Sequence, residues 1–536
     1  MDMIDQTQKL VDEQSWGTGF SLPLSNEKPS LQHEMDSPLS LSWIRSHLST
    51  KSPYPHDNKR VGPMGDIPEG YELVQLHLIC RHGTRYPSSS KAITFQKLTE
   101  KLRQVAVPGF EWLERWPSER LYPISKGNLL STKGDSDLYR IGRRFGIRYQ
   151  DFLDRYPYDA NTYELQSSSM SRSSQSAYAF SVGFLEGRRA SDINVEPEIP
   201  PIQPGLDKEL AVKYACPRWL ENVKGSPKVV REQLLYKERF LPEIAERLSI
   251  MFSTKDGSSQ VNITTKDVET IFGICGFEVA FHDNDQTWCQ LLRQSAHETE
   301  KSNFLKLEMS DDLNNYYSFG PGVPFNKHLG CGLGTSLSNA IEGALTLEPE
   351  HLSSNGKSGD DDDDDPRHFR GLFKFGHAET ILFLSSFLGL YDQKGIPLRG
   401  DMTPEQYAQR EFRASEISPF AANIAFEVFR PKPRNLHHKK RIEYEEKEQY
   451  FEFGYHVPEG LVRLLINEEP MIIPGCGSDY FCEWATLKKI FRRAGAGCNF
   501  DGCCTSLGST KVSSRVFVSD RQDEICLSVE PLSRYN

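Results

Sequence analysis

The stretch Leu73-Val-Gln-Leu-His-Leu-Ile-Cys80 is almost unbroken in apolar residues and stops abruptly at Arg81-His82-Gly83-Thr84-Arg85-Tyr86-Pro87. A half-exposed strand would alternate apolar and polar side chains, and an amphipathic helix would repeat them every three or four positions. A short continuous run reads instead as a strand buried on both faces, the kind found inside a parallel sheet. Two further units fit that frame. Gly371-Leu-Phe-Lys-Phe-Gly376 is followed by Thr380–Leu390, apolar at most helical positions. Tyr163-Glu-Leu-Gln-Ser167 leads through a serine-rich turn into a helix with Ala177, Phe180, Phe184 and Leu185 at i, i+3, i+7 and i+8. Repeated strand–turn–helix units specify an α/β fold.

The 536 residues are long enough for more than one domain. Between about 200 and 345 the strand signal fades, and Glu232–Phe252 and Val268–Gln294 look helical. Strand character returns at Leu461–Asn467. We therefore expect one α/β domain in two parts, residues 45–199 and 371–536, interrupted by a mostly helical cap at 200–345. Residues 346–370 read as an acidic loop insertion around Asp360–Asp365, and 1–44 as a disordered acidic arm. No run approaches the ~18 apolar residues of a membrane span; the best, Ile381–Leu390, is short and carries two serines.

The net charge of −11 argues against a nucleic-acid partner. It does not argue against a small polyanion. Residues 1–40 hold seven acids against two bases, and Asp360–Asp365 adds six more acids, which together account for the whole excess. The rest of the chain is neutral, and local potential steers a ligand better than net charge does. Eleven cysteines, an odd number, leave at least one thiol free. Cys476 and Cys482 flank a short loop that a disulfide can close; a zinc site would want CxxC spacing or nearby histidine pairs. The N-terminal MDMIDQTQKLVDEQSW is acidic and has no apolar core, so it does not read as a signal peptide.

The chemistry concentrates after the strands. Arg81, His82 and Arg85 follow a buried strand at its carboxyl end, where open α/β sheets bind ligands. Two guanidinium forks flanking one imidazole make a cradle for a phosphate, and their charge keeps the imidazole neutral and nucleophilic. Gly83 would let the backbone come close to a ligand. His377-Ala378-Glu379 follows the 371–376 strand and opens a helix, whose N-terminus favours an anion. Alone, Glu379 would read as a capping residue. Beside the 81–87 loop it reads as the acid that protonates a departing alkoxide, its pKa raised by a bound phosphate so that the proton is kept. Arg140, Arg143, Arg144 and Arg148 read as a solvated helix face, and His437–Arg441 as a basic surface loop. Cys80 reads as a buried strand cysteine. Lys91 and Lys374 are candidates for the mouth of a polyphosphate site.

The 81–87 segment resembles the signature of the histidine acid phosphatases, the second branch of the histidine phosphatase superfamily, which includes the phytases. His377-Ala378-Glu379 in place of His-Asp, Leu48–Tyr54 (LSTKSPY) and Leu461–Cys482 with its paired cysteines bring the resemblance nearest to the multiple inositol polyphosphate phosphatases. It spans about residues 48–505. It implies a phosphoglycerate-mutase-like α/β sandwich with a helical cap, acting on inositol polyphosphates and also on 2,3-bisphosphoglycerate. It further implies that His82 is the nucleophile, that Arg81, Arg85, Arg172 and His377 bind phosphate, and that Glu379 is the proton donor. Arg172 enters through the serine-rich turn Ser167–Ala177. No cofactor or metal is implied, and the expected assembly is a monomer. The resemblance and the cysteines point towards the secretory pathway or the cell exterior. A broad acid phosphatase, or a catalytically silent inositol-phosphate-binding scaffold, is the alternative.

Overall fold

The computed structural model describes residues 39–55, 67–105, 107–187, 201–202, 207–253, 261–293, 300–346, 369–392, 396–432, 459–496 and 500–504. The acidic arm up to residue 38, Asp360–Asp365 and His437–Arg441 lie outside the described residues.

The strands are β1 (Tyr71–Arg81), β2 (Tyr163–Ser168), β3 (Pro201–Ile202), β4 (Gly371–Gly376), β5 (Asn423–Pro431), β6 (Leu461–Ile466), β7 (Glu469–Met471) and β8 (Phe481–Glu483). They form one sheet in the order β3-β2-β4-β1-β5-β6-β7, with β8 paired to β6. The half containing β3, β2, β4 and β1 is parallel. The other half is not: β5 runs antiparallel to both β1 and β6. The expected parallel sheet is thus a mixed one. β5 is also buried over its first seven residues, but Asn423 and Glu427 interrupt the apolar run by which β1 is read.

Helices used below are α1 (Ser89–Leu102), α2 (Thr132–Arg148), α3 (Ser171–Phe184), α4 (Val212–Ala215), α5 (Pro227–Met251), α6 (Thr265–His282), α7 (Glu300–Ser318), α8 (Cys331–Thr346) and α9 (Ala378–Phe387). β1 is buried on both faces because both are covered. Leu76, Leu78 and Cys80 pack into a core shared with Leu138 and Ile141 of α2 and Phe180 of α3. Val74 and Ile79 pack into another core, with Leu337 of α8 and Ile381 of α9. Each such buried aliphatic side chain stabilises the fold by ~1.5–3 kcal/mol. α2 and α3 touch backbone to backbone: a Cβ on Gly142 would lie 2.0 Å from the Phe180 carbonyl oxygen. That contact fixes where α3, and with it Arg172, begins.

A separate core joins Leu98 of α1, Leu248 of α5, Ile271 and Phe277 of α6, and Leu307 of α7. Disulfides join Cys216 to Cys504, Cys275 to Cys289 and Cys476 to Cys482, while Cys331 and Cys503 are also disulfide-bonded. Cys80 is a buried free thiol. The basic stripe on α2 is only partly solvated. Arg140 and Arg143 are exposed, but Arg144 binds Glu468 through Nε (2.8 Å) and Nη2 (2.6 Å), and Arg148 reaches the fully buried Glu427. No described helix is long and apolar enough to cross a membrane.

Candidate active site

β2, β4 and β1 are parallel neighbours, so their carboxyl ends meet at one edge of the sheet. From that edge β1 runs into the 81–87 loop, β2 into α3 and β4 into α9. Arg81 pairs in register with Gly376, and the His82 backbone N–H donates to the Gly376 carbonyl at 3.1 Å. Adjacent strands therefore carry His82 and His377 side by side, with ring centroids 5.6 Å apart.

His82 is buried, and its Nδ1 lies 2.9 Å from the Gly83 carbonyl oxygen. A carbonyl only accepts, so Nδ1 carries the proton and Nε2 keeps its lone pair. Burial, reinforced by Arg81, Arg172, Arg85 and His377, pushes the imidazole pKa well below its ordinary value. The ring is neutral and its Nε2 is unprotonated.

Three guanidiniums surround it. Arg81 is locked by Nη1 to the carbonyls of Thr50 (2.7 Å) and Ser418 (2.6 Å) and lies 4.5 Å over the Phe420 ring. Arg85 donates through Nη1 to the Tyr86 carbonyl at 2.8 Å. Arg172 donates through Nη2 to His377 Nδ1 at 3.2 Å. The Nε groups of all three are buried and make no hydrogen bond within the protein. Burial and then Arg85 lower Arg81 to about 9; burial and then Arg172 lower Arg85 to about 10. These cations crowd one another, with the Glu379 carboxylate the one acidic group acting on all three. Because guanidinium can only donate, His377 Nδ1 accepts and its Nε2–H donates to Ser168 Oγ at 3.0 Å.

The glycine of the loop serves a different neighbour from the one expected. A Cβ on Gly83 would lie 2.4 Å from the Gly134 carbonyl oxygen and 2.7 Å from Leu138 Cδ2. It is the packing of the loop on α2 that requires glycine. Beneath it, Gly83 N–H donates to Ser176 Oγ (3.1 Å) and Thr84 Oγ1 to Asp137 (3.1 Å).

Glu379 lies in the first turn of α9, near this group, and its charge state in the ligand-free protein is set by its neighbours. Burial alone would push the carboxyl up. The Lys213 ammonium, in contact with Oε1, and His377 overrule burial and hold it well below the usual carboxylate range. Without a ligand Glu379 is therefore a carboxylate. Lys213, on α4, was not among the residues singled out from the sequence; nothing local to VKYAC marks it, because its partner comes from a distant strand end.

The two mouth candidates separate. Lys374 pairs with Glu209 at 2.5 Å and is buried in β4, so its charge is already matched within the protein. Lys91 lines a cavity of about 250 Å³ together with Lys51, Lys266 and Asp311. The residue is solvent-exposed, so it is chiefly the Lys51 ammonium, with Arg85 contributing, that lowers its pKa to about 8. Lys51 and Lys266 enter here from the structure alone.

A buried neutral imidazole ringed by three guanidiniums that outnumber the one carboxylate near them, at the carboxyl ends of parallel strands, suits an anion such as phosphate. The family pattern of the histidine phosphatase superfamily (branch 2) matches residues 72–456, well over half of the chain, and the chain belongs to that family. It is a phosphoric monoester hydrolase. It is similar to multiple inositol polyphosphate phosphatase 1 of Dictyostelium discoideum, 24% identical over 80% of this chain and 67% of that protein. It is equally similar to an acid phosphatase of Schizosaccharomyces pombe, 24% identical over 86% and 91%. The crystal structure of Bifidobacterium longum multiple inositol polyphosphate phosphatase with inositol hexasulfate shares the fold, with a TM-score of 0.61 at 17% identity over 83% of this chain and 97% of that one.

Proposed function

We propose that this phosphatase removes phosphates from inositol polyphosphates through a phosphohistidine on His82. The observation that carries the reading is the tautomer of His82: Nδ1 is committed to the Gly83 carbonyl, and Nε2 stays unprotonated among cations. His82 Nε2 attacks phosphorus while Arg81, Arg85 and Arg172 stabilise the charge building on the phosphoryl oxygens. Glu379 serves the leaving oxygen, and in the second step it serves the water that hydrolyses phospho-His82. His377 orients Arg172 and lies against the same phosphate. The guanidiniums supply the charge that a metal supplies in other phosphatases, so no step calls for one.

A polyphosphorylated substrate is supported by the cavity lined by Lys51, Lys91 and Lys266 with Asp311 and Glu269, which offers a place for a second phosphate and whose Lys91 feels the charge of Arg85, and by the name of the Dictyostelium relative. The second reading, a broad acid phosphatase, is favoured by the equal similarity to the Schizosaccharomyces protein.

The test is phosphate release from inositol hexakisphosphate in EDTA by wild type, His82→Ala and Glu379→Gln. Wild type turns over, His82→Ala loses turnover, and Glu379→Gln slows by ~10²-fold or more. Turnover that survives His82→Ala sinks the mechanism. A preference for 4-nitrophenyl phosphate over inositol hexakisphosphate selects the second reading.

A further inference from the structure

Glu379 needs a proton to give away, yet it stands in an ion pair. Lys213 Nζ contacts Glu379 Oε1, and both side chains are mostly buried, 21% and 12% exposed. Lys213 is held there from its own side. It sits 4.9 Å over the Tyr214 ring, and its short helix α4 is followed directly by Cys216, which is tied to Cys504. The charged and titratable groups facing the pair are Arg172 at the start of α3, Arg81 and Arg85 from β1 and its loop, His377 on the same strand end, and Tyr214.

We propose that Lys213 and Glu379 form one acid–base unit, in which Lys213 stores the proton that Glu379 relays to the leaving alkoxide. The inference rests on the roles assigned above to His82 and Glu379. In the first step the His82 Nε2–phosphorus bond forms and the phosphorus–oxygen bond to the leaving group breaks, its electron pair going to oxygen. That oxygen takes a proton from Glu379 as Lys213 Nζ delivers one to Glu379. The unit passes from ammonium–carboxylate to amine–carboxylate. In the second step water attacks phosphorus, the nitrogen–phosphorus bond breaks with its pair returning to Nε2, and the proton of the water returns through Glu379 to Lys213. Protons balance over the turnover. The transfer in the first step runs towards the more basic partner, since an alkoxide binds a proton more tightly than an amine.

The arrangement suits the electrostatics of the site. A carboxyl held below its ordinary range cannot store a proton at working pH, whereas the pKa of Lys213, which burial would lower, is raised by Glu379. A general acid works only below the pKa of the group that stores the proton. With Lys213 as the store, the acid stays loaded through neutral pH. Lys213 touches no reacting atom and is a positioning residue.

The experiment compares an alkyl phosphate, glycerol 2-phosphate, with 4-nitrophenyl phosphate, whose weakly basic leaving group needs no acid. The enzymes are wild type, Lys213→Met and Lys213→Arg, each checked for a wild-type melting profile. Arginine keeps the positive charge but does not release a proton. We expect kcat for the alkyl ester to fall at least ~10-fold further than kcat for the aryl ester in both variants. In Lys213→Met the alkaline limb for the alkyl ester also moves at least ~1 pH unit lower, because a lone carboxyl must then hold the proton. Equal losses on both esters, the mark of a structural residue, overturn the proposal. Restoration of alkyl turnover by arginine overturns it too, leaving Lys213 a charge and no more. Should Lys213→Met not fold, the arginine variant alone decides between these outcomes. Absence of turnover by wild type on either ester would instead strike the phosphatase mechanism itself, and the inference with it.

Discussion

Two clusters of buried arginine in this molecule are built in opposite ways. Arg410 donates through Nε to Asp312 (2.7 Å) and through Nη2 to Glu308 (2.8 Å), and Arg413 adds a second guanidinium on Glu308 at 3.2 Å. The carboxylates are satisfied further by Ser415 Oγ and the Ala414 N–H. Although burial works against its charge, Arg410 is held strongly protonated by Asp312 and Glu308. At the sheet edge Arg81 is buried and Arg85 and Arg172 are partly so, and all three pKa values are pushed down, by burial in each case and also by the neighbouring guanidiniums at Arg81 and Arg85, against the pull of Glu379. The carboxylate that faces them, Glu379, is already engaged by Lys213. The first cluster sets two carboxylates against two guanidiniums within the chain. The second sets three guanidiniums and an ammonium against one carboxylate, which is the excess of positive charge that the proposed phosphate would match.

Breaking the first cluster should have the largest effect on the fold. Arg410→Met leaves Glu308 and Asp312 buried beside a single remaining guanidinium, and removing one partner of a buried ion pair costs ~3–5 kcal/mol. The loss is read as a fall in the urea midpoint. A midpoint within error of wild type would mean that the pairing is not what holds α7 to the 404–418 segment.

The same kind of change in the other cluster should act on turnover and spare stability. Arg85→Met removes one of three donors to a phosphate and should lower kcat/KM by ~10²–10³-fold. Because it also removes a like charge facing Arg172, its melting temperature should equal or exceed that of wild type. A variant that loses activity and melts earlier would show that Arg85 is structural and the contrast false.

The legibility of the two clusters in the sequence differs for a physical reason. Arg81, His82 and Arg85 sit on one short loop after one buried strand, so spacing alone carried the chemistry. His377 was marked by following a second buried strand at a helix start, and Arg172 required the resemblance; the parallel register delivers both beside His82. Lys213 carries no such mark: a four-residue helix holds it, and only tertiary packing and a disulfide with a sequence separation of 288 give it a role. The charge stripe on α2 failed for the same reason. Periodicity says which residues share a face, but Glu468 and Glu427, on or just after the strands that cover part of that face, are distant in sequence. β5 stayed hidden because Glu427, buried against Arg463, breaks the continuous apolar run by which β1 is read.

The smallest effect sharpens the contrast at its border, where Lys91 stands between the two designs. Its neighbour Lys51 has a carboxylate partner, Asp311 at 3.0 Å, but Lys91, itself solvent-exposed, is lowered to about 8 chiefly by the Lys51 charge. The sign follows from that depression. Below pH 8 Lys91 is an ammonium and adds to the positive field of the cavity; above it the side chain is neutral, although a solvated lysine would stay charged to about 10.4. A substrate that places a phosphate in this cavity should therefore bind less well as pH rises from 7 to 9. We expect KM for inositol hexakisphosphate to rise ~5–10-fold over that interval, the size of one charge-assisted contact. KM for 4-nitrophenyl phosphate, which has no second phosphate, should rise less. Lys91→Met should show the raised KM already at pH 7 and lose the difference between the two substrates' pH dependences. Parallel pH dependence for both substrates in wild type would show that the second phosphate does not sit beside Lys91.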